Sequence, residues 1–561
     1  MYHFVFKNPK PQSSADRRLA ELQDADARSH AAKIAYLKKK AREQDRASSS
    51  ISSSQDEVAQ LAAPKDVKSA ESFKASMEER LSIEGQTKTA LGHGRPSPAH
   101  SKGVRLLPRT KLSVQSLLSQ TSRDPFDSYP ERRLPENVEK VVQYAFDRIW
   151  PDMLCSVRGE NLAVAKREWR HHGLDDELLF HVQVALACGL NLALQNVPKV
   201  SEALGLARLS HYSKAIRLLK QRIENLDGPA SEDLMMSVLI LGVNADIESS
   251  MPECHPRSPL ATSQYMHLYG RLTLMPSYAA ALEQLVRARG GISALKHLAL
   301  PDWLLLADLH HASRTGDRLL YPRIRPYHSI VSSGRHVLDA KATLLSEKLG
   351  GGFHSIDDSL TTGVREAVVK GVEATVALDH YHRHENSQPC LVDVMLAANE
   401  AHRSFLELDP REGLGLEQLV NNCCRLGSLI YSDMVLFPMP SCTKIKPRLA
   451  RELRQLLEEF QDLKIVTEDF KHPVSDMVLW VLVMGGIAAS FTEHRRWFQD
   501  RLRTRLRRTK SDASFSSGTW AEFKRHVSKF LWWDPVVDRP AMELWNEATH
   551  ELRVADNEMK G

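Results

Sequence analysis

From Asp124 almost to the C-terminus, the large apolar residues of this sequence return every three or four positions, and almost nowhere at every second one. That period is the strongest constraint on what the chain can build, because it places apolar side chains along one stripe of a helix. Tyr212, Ala215, Ile216, Leu219 and Ile223 form one such stripe, and Leu449, Leu453, Leu456, Leu457, Phe460 and Leu463 form another. Ser231 followed by Glu232 and Asp233 marks a helix start, with a capping hydroxyl and acids in the first turn. ALACGLNLAL and LVMGGIAASF are apolar on all sides, which suits helices surrounded by other helices. The expectation is an all-α fold: one large, irregular multi-helix domain over residues 124–556, its helices joined by short polar loops. No fixed period of self-similarity supports a regular solenoid.

The apolar run at 477–491 falls about five residues short of a bilayer span and contains Gly485-Gly486, so it reads as a buried core helix, with no membrane role. The seven cysteines are irregularly spaced and suggest neither a disulfide framework nor a C-x2-C metal site, which points to a reducing compartment. No apolar leader with a small-residue cleavage site opens the chain. A net charge of +5 over 561 residues means that any pull on nucleic acid is local.

Before Asp124 the texture differs. Residues 1–46 are a basic segment with a short helix, and residues 47–123 are a Ser-rich linker too poor in aromatics to offset the entropy of ordering. The basic N-terminal region is therefore expected to be disordered apart from that helix. Within it, Ala27, Ala31, Ile34 and Ala41 form a thin stripe among Lys33, Lys38, Lys39, Lys40 and Arg42. A basic-region zipper would need Asn and Arg around the Ala31-Ala32 pair, but those places hold Arg28 and Tyr36, and no leucine heptad follows. These cations are candidates for nuclear import or nucleic-acid contact: they can neutralise phosphates but lack side chains placed to read bases. A second basic stretch, residues 494–510, sets Trp497, Phe498, Leu502 and Leu506 inward and leaves Arg501, Arg503, Arg505, Arg507 and Arg508 as a basic face toward water or an acidic partner.

Catalytic motifs are missing. There is no nucleophile elbow, phosphate-binding loop or dinucleotide fingerprint. Gly350-Gly351-Gly352 lacks the Lys and Ser/Thr of a phosphate loop and reads as a loop between helices. His380 and His384 have the spacing of two zinc ligands, but no third ligand or catalytic Glu accompanies them, so they read as a polar helix end at the surface. His310 and His311 follow Asp308, an arrangement expected to be a buried structural histidine–carboxylate contact. His171 and His172 sit in a charged helix end. No catalytic, cofactor-binding or metal-binding residue is assigned, and no cofactor is expected.

Several segments occur in a telling order: DPFDSYP, VVQYAFDRIWPDM, SEDLMMSVLILGVNAD, QYMHLYGRL, LEQLVRARGGISAL, PDWLLLADLHHAS, VLWVLVMGGIAAS, KFLWWD and a final ELW. Together, over about residues 124–550, they resemble the fungal-specific transcription factor domain family, in the second of its two large variants. The resemblance implies a helical regulatory domain in a nuclear protein controlling catabolic or secondary-metabolism genes. Members usually carry an N-terminal binuclear zinc cluster with six cysteines; here no cysteine precedes Cys155, so that DNA contact does not carry over. The expected function is nuclear transcriptional regulation through other regulators or a zinc-cluster protein, with DNA phosphate contact and a small-molecule inducer among the helices left open. The alternatives are an enzyme acting on a hydrophobic metabolite, with the histidine pairs as its acids and bases, and a non-nuclear helical scaffold.

Overall fold

Wherever the apolar stripe is wide, a helix has formed. The computed structural model describes residues 134–152, 160–194, 198–243, 258–272, 274–297, 299–384, 388–410, 412–413, 415–459, 474–509 and 519–558. The readings made for residues 1–46 and 47–123, including Lys33, Lys38, Lys39, Lys40 and Arg42, lie outside them. Among the described residues there are helices and no strands, as the sequence period requires.

In chain order the principal helices are α1 (Glu136–Tyr144), α2 (Glu160–Asp175), α3 (Glu177–Leu194), α4 (Pro198–Glu224), α5 (Glu232–Val243), α6 (Pro276–Ala288), α7 (Leu300–Thr315) and α8 (Ala340–His354). They continue as α9 (Thr362–Arg383), α10 (Leu391–Leu406), α11 (Leu416–Val435), α12 (Ile445–Glu459), α13 (Val474–Ala488), α14 (His494–Thr509), α15 (Trp520–Val527) and α16 (Asp534–Glu558). The Ser231 hydroxyl caps α5 by accepting from the Leu234 amide at 3.2 Å. On α4, Ala215, Leu219 and Ile223 are buried, as their spacing predicts. α13 is buried nearly all round and sits among α11, α12, α14, α15 and α16, so its uniform apolarity is that of a central helix. No described helix is long and apolar enough to cross a membrane.

Two hydrophobic cores result. The first is built from α1 to α6 and the start of α7. Its centre is a chain of edge-to-face aromatic contacts from Phe146 to Trp150 (4.5 Å), Trp150 to Trp169 (5.6 Å) and Trp169 to Trp303 (4.4 Å). The second is built from α8 to α16 and includes Trp480 stacked on Phe530 at 5.3 Å. The cores meet on α7, where Trp303 and Leu304 belong to the first while Leu306 and Leu309 belong to the second.

Gly350, Gly351 and Gly352 do not form a loop: they lie within the last two turns of α8, which runs on to His354. The reason is close approach. A Cβ on Gly352 would lie 2.9 Å from both the Lys529 carbonyl oxygen and the Phe530 ring, and the Gly352 amide donates to that carbonyl at 3.0 Å. The bare backbone lets the segment before α16 lie against the helix.

Candidate functional site

The expectation of short loops fails between α7 and α8. α7 stops at Gly316, a left-handed cap with φ 81°, and α8 begins after Asp339, whose carboxylate accepts from the Ala342 amide at 2.6 Å. Residues 316–339 between them form a strap without helix or strand. A connection this long inside a packed domain is uncommon and usually functional. Pro322 and Pro326 account for its irregularity, since neither can donate a helical hydrogen bond.

Backbone groups that cannot pair with one another must find side chains. Asp308 of α7, 1% exposed, accepts from the Leu320 amide at 3.0 Å and from the Tyr321 amide at 3.1 Å. Burial pushes the Asp308 carboxyl up, opposed by those two amide hydrogen bonds. Asp308 thus serves the strap, and no hydrogen bond or ion pair joins it to His310 or His311 as the sequence suggested. Glu373 of α9 accepts from the Tyr327 hydroxyl (3.1 Å), the Ser329 hydroxyl (2.7 Å) and the Val331 amide (3.1 Å). Arg323 is held by Glu400 of α10 at 2.9 Å and by Glu407 at 2.6 Å. Arg335 reaches Asp393 of α10 at 3.0 Å.

Beneath this strap lies a cleft of about 490 Å³, large enough for a small organic molecule. Its walls are the strap, α7, α10 and the turn at 292–297. The turn follows Gly290 and Gly291, whose φ values of 97° and 93° only glycine adopts readily. It is fastened from below: Glu232 accepts from the Lys296 amide at 3.0 Å and the His297 amide at 2.7 Å. Leu305, Leu306, Leu309 and Leu396 supply apolar lining, and five cations stand against two carboxylates along the walls. The cleft draws residues from both cores, which is where ligand sites concentrate.

Two smaller cavities differ in kind. One of about 70 Å³ is lined by Trp150, Tyr269, Trp303 and His310, and each of these has a buried polar atom without a hydrogen-bond partner. Burial, and then the Arg314 charge, pushes His310 down to about 4, so its ring is neutral. That space admits water, which can satisfy such atoms. The other, of about 190 Å³, borders Ser313, His402 and Asp433. His402 Nε2 lies 2.6 Å from the Ser313 hydroxyl and Nδ1 lies 2.9 Å from that of Ser432. Ser313 donates its own proton to the Leu309 carbonyl at 2.6 Å. The network therefore assigns the ring proton to Nε2, facing Ser313, so this serine and histidine are not arranged as nucleophile and base. Burial, then the neighbouring His310, pushes His402 down to about 3.

The remaining sequence candidates separate. On α14, Phe498, Leu502 and Leu506 are buried as expected. The basic face is smaller than proposed, because Arg505 is 4% exposed and turns inward to donate to the Ser475 hydroxyl at 2.8 Å. Arg503 is half-buried against Asp500 at 2.9 Å. Arg501 lies over the Trp497 ring at 5.3 Å and is exposed, as is Arg507; the Arg508 side chain lies outside the described residues.

His380 is not at the surface: it is 0% exposed, with Nδ1 3.0 Å from His336 Nε2. His384 falls one residue past α9, in left-handed backbone, so helical geometry does not bring the two together. His172 pairs with Asp233 at 3.0 Å, beside His297. The three histidine pairs thus occupy three separate places, and no group of metal-ligating side chains is found among the described residues. Comparison with protein-family models, with curated proteins and with solved structures found no match for the chain.

Two of the segments singled out by motif order, RGGISAL and PDWLLLADLHHAS, supply the 292–297 turn and α7, and so two walls of the cleft.

Proposed function

We propose that this chain is a nuclear transcriptional regulator of a metabolic or secondary-metabolite gene set, acting through partner regulators or weak DNA contact, with the seam cleft as its sensing element. The observation that carries the reading is the place of the cleft: it lies where two helical cores meet, under a strap held at discrete points. A ligand there touches both cores, so it can favour one arrangement of them over another, as a sensor must. The ordered motifs resembling the fungal transcription factor domain support the regulatory half of the proposal, since two of them build the cleft walls. Residues 1–46 supply the basic segment for import or phosphate contact.

The test is chromatin occupancy of the full chain against a chain lacking residues 1–46, with localisation scored in the same cells. The reading expects the full chain to be nuclear and enriched at a defined set of promoters. Loss of enrichment with retained nuclear entry would make Lys33, Lys38, Lys39, Lys40 and Arg42 a DNA contact; loss of both would make them an import signal. A full chain excluded from the nucleus, or nuclear without enrichment at any promoter, would overturn the proposal.

A further inference from the structure

Charge accounting in the cleft leaves a remainder. Arg323 is committed to Glu400 and Glu407, Arg335 to Asp393, and Arg403 to Glu407 at 2.9 Å. The carboxylate of Glu400 is shared further with Lys370 at 2.7 Å. Lys296 and Arg325 are different. Both line the cleft and are exposed, and among the described residues neither side chain has an ion pair or hydrogen bond. They come from separate segments, the 292–297 turn and the strap, each fastened through its backbone or its neighbours to a helix: Lys296 through Glu232, and the strap through Asp308 and Glu373. The backbone that carries them is therefore placed before any ligand arrives, and binding has only the two side chains to order.

The same cleft has an apolar floor of leucines from α7 and α10. Apolar surface and unspent positive charge within one ligand-sized space select a molecule with both an apolar body and an anionic head. We infer that the seam cleft binds an organic anion with an apolar body, its carboxylate, sulfonate or phosphate between Lys296 and Arg325 and its body against Leu305, Leu309 and Leu396. The inference rests on the cleft being a ligand site and not on where the protein acts in the cell, so its failure and that of the regulatory reading are separable. A neutral metabolite would leave the two cations solvated and gain nothing from them. A nucleic acid strand would need a continuous row of cations, and the leucine floor interrupts one.

The experiment uses the full chain and a matched pair of fluorescent probes: 8-anilinonaphthalene-1-sulfonate, and N-phenyl-1-naphthylamine, which has the same aromatic body without the sulfonate. The expected results are tighter binding of the sulfonate and an affinity that falls with salt. The double variant Lys296→Ala/Arg325→Ala should bind the sulfonate about tenfold more weakly, as the loss of two solvent-screened charge contacts implies. Its affinity for the neutral probe should change less than twofold. Both residues are exposed, so folding is not at issue; matching melting curves check this. A second variant, Leu305→Trp, fills the floor and should weaken both probes. Equal binding of the two probes by the wild type, or sulfonate binding unchanged in the double variant, would overturn the inference. So would a Leu305→Trp variant that still folds and binds the sulfonate as well as the wild type.

Discussion

Replacing Asp308 by alanine would leave the Leu320 and Tyr321 amides without their acceptor while the rest of α7 stays helical. An orphaned buried donor costs roughly 1–3 kcal/mol. The Tyr321 amide is buried and meets that cost in full; the Leu320 amide is half-buried, so water recovers part of it. Release of a carboxylate whose ionised form is already disfavoured by burial offsets some of the loss. The net expectation is about 1–3 kcal/mol, felt first as opening of the strap and only secondarily as global unfolding. Hydrogen exchange is the direct assay. The Leu320 and Tyr321 amides should exchange roughly thirtyfold faster for a 2 kcal/mol loss, at a tenfold rate change per 1.4 kcal/mol. Amides in α13 should keep their wild-type rates. Asp308→Asn, which keeps one acceptor oxygen, should fall between wild type and alanine. Unchanged protection at Leu320 and Tyr321, or an equal loss across α13 and the strap, would show that Asp308 does not pin the strap and would remove the argument for a preorganised cleft wall.

Three further outcomes follow from buried charge. Asp433 is 1% exposed and lies 2.8 Å from Lys446, so Lys446→Met should cost about 3–5 kcal/mol in urea unfolding, and adding Asp433→Leu should restore most of it. Burial, opposed by Lys446, pushes the Asp433 carboxyl up to about 6. The folded state then keeps a proton that the unfolded chain has released, so this group's contribution to stability falls as pH rises from about 4 to about 6 and is level above that. Asp433→Asn should lack that segment of the pH profile, and parallel profiles would refute the assignment. On α14, Arg505→Ala should destabilise by about 1–3 kcal/mol because it strips a buried hydrogen-bond partner, while Arg507→Ala should change stability by under about 0.5 kcal/mol; equal effects in thermal melts would contradict their opposite burial.

The helices were legible where one helix decides its own fate. α13 is apolar all round and could only be central, and Ser231 with two acids after it could only begin a helix. The strap was not legible, because its anchors are remote: Asp308 lies 12 positions from Leu320, and Arg323 meets Glu400 across 77. Its Leu319, Leu320, Tyr321 and Ile324 resemble helix residues taken singly, although Pro322, Pro326 and Gly334 together carried a signal of irregular backbone. The inward turn of Arg505 was readable in principle. Phe498, Leu502 and Arg505 stand at i, i+4 and i+7, one face of a helix, although arginine as a residue type points to water. The cleft itself had no local signature, since it exists only where the continuous stretch 292–335 folds against the remote helix α10.

The manner in which the strap is fastened has a consequence for how this protein can change over generations. A β-ladder or helix ties every residue to its neighbours, so altering one strains the next. Here the chain is riveted by Asp308, Glu373, Asp393 and Glu400, all of which belong to helices; residues 329–336 are also tied to one another by turns, but the stretches before them, from Asp317 to Tyr327, show no hydrogen bond from one strap residue to another among the described residues. Side chains in those stretches, Arg325 among them, are open to replacement, insertion or loss while the helical frame stays as it is. A lineage could thus retune what the cleft accepts by substitutions in a few strap positions, without renegotiating the packing of either core.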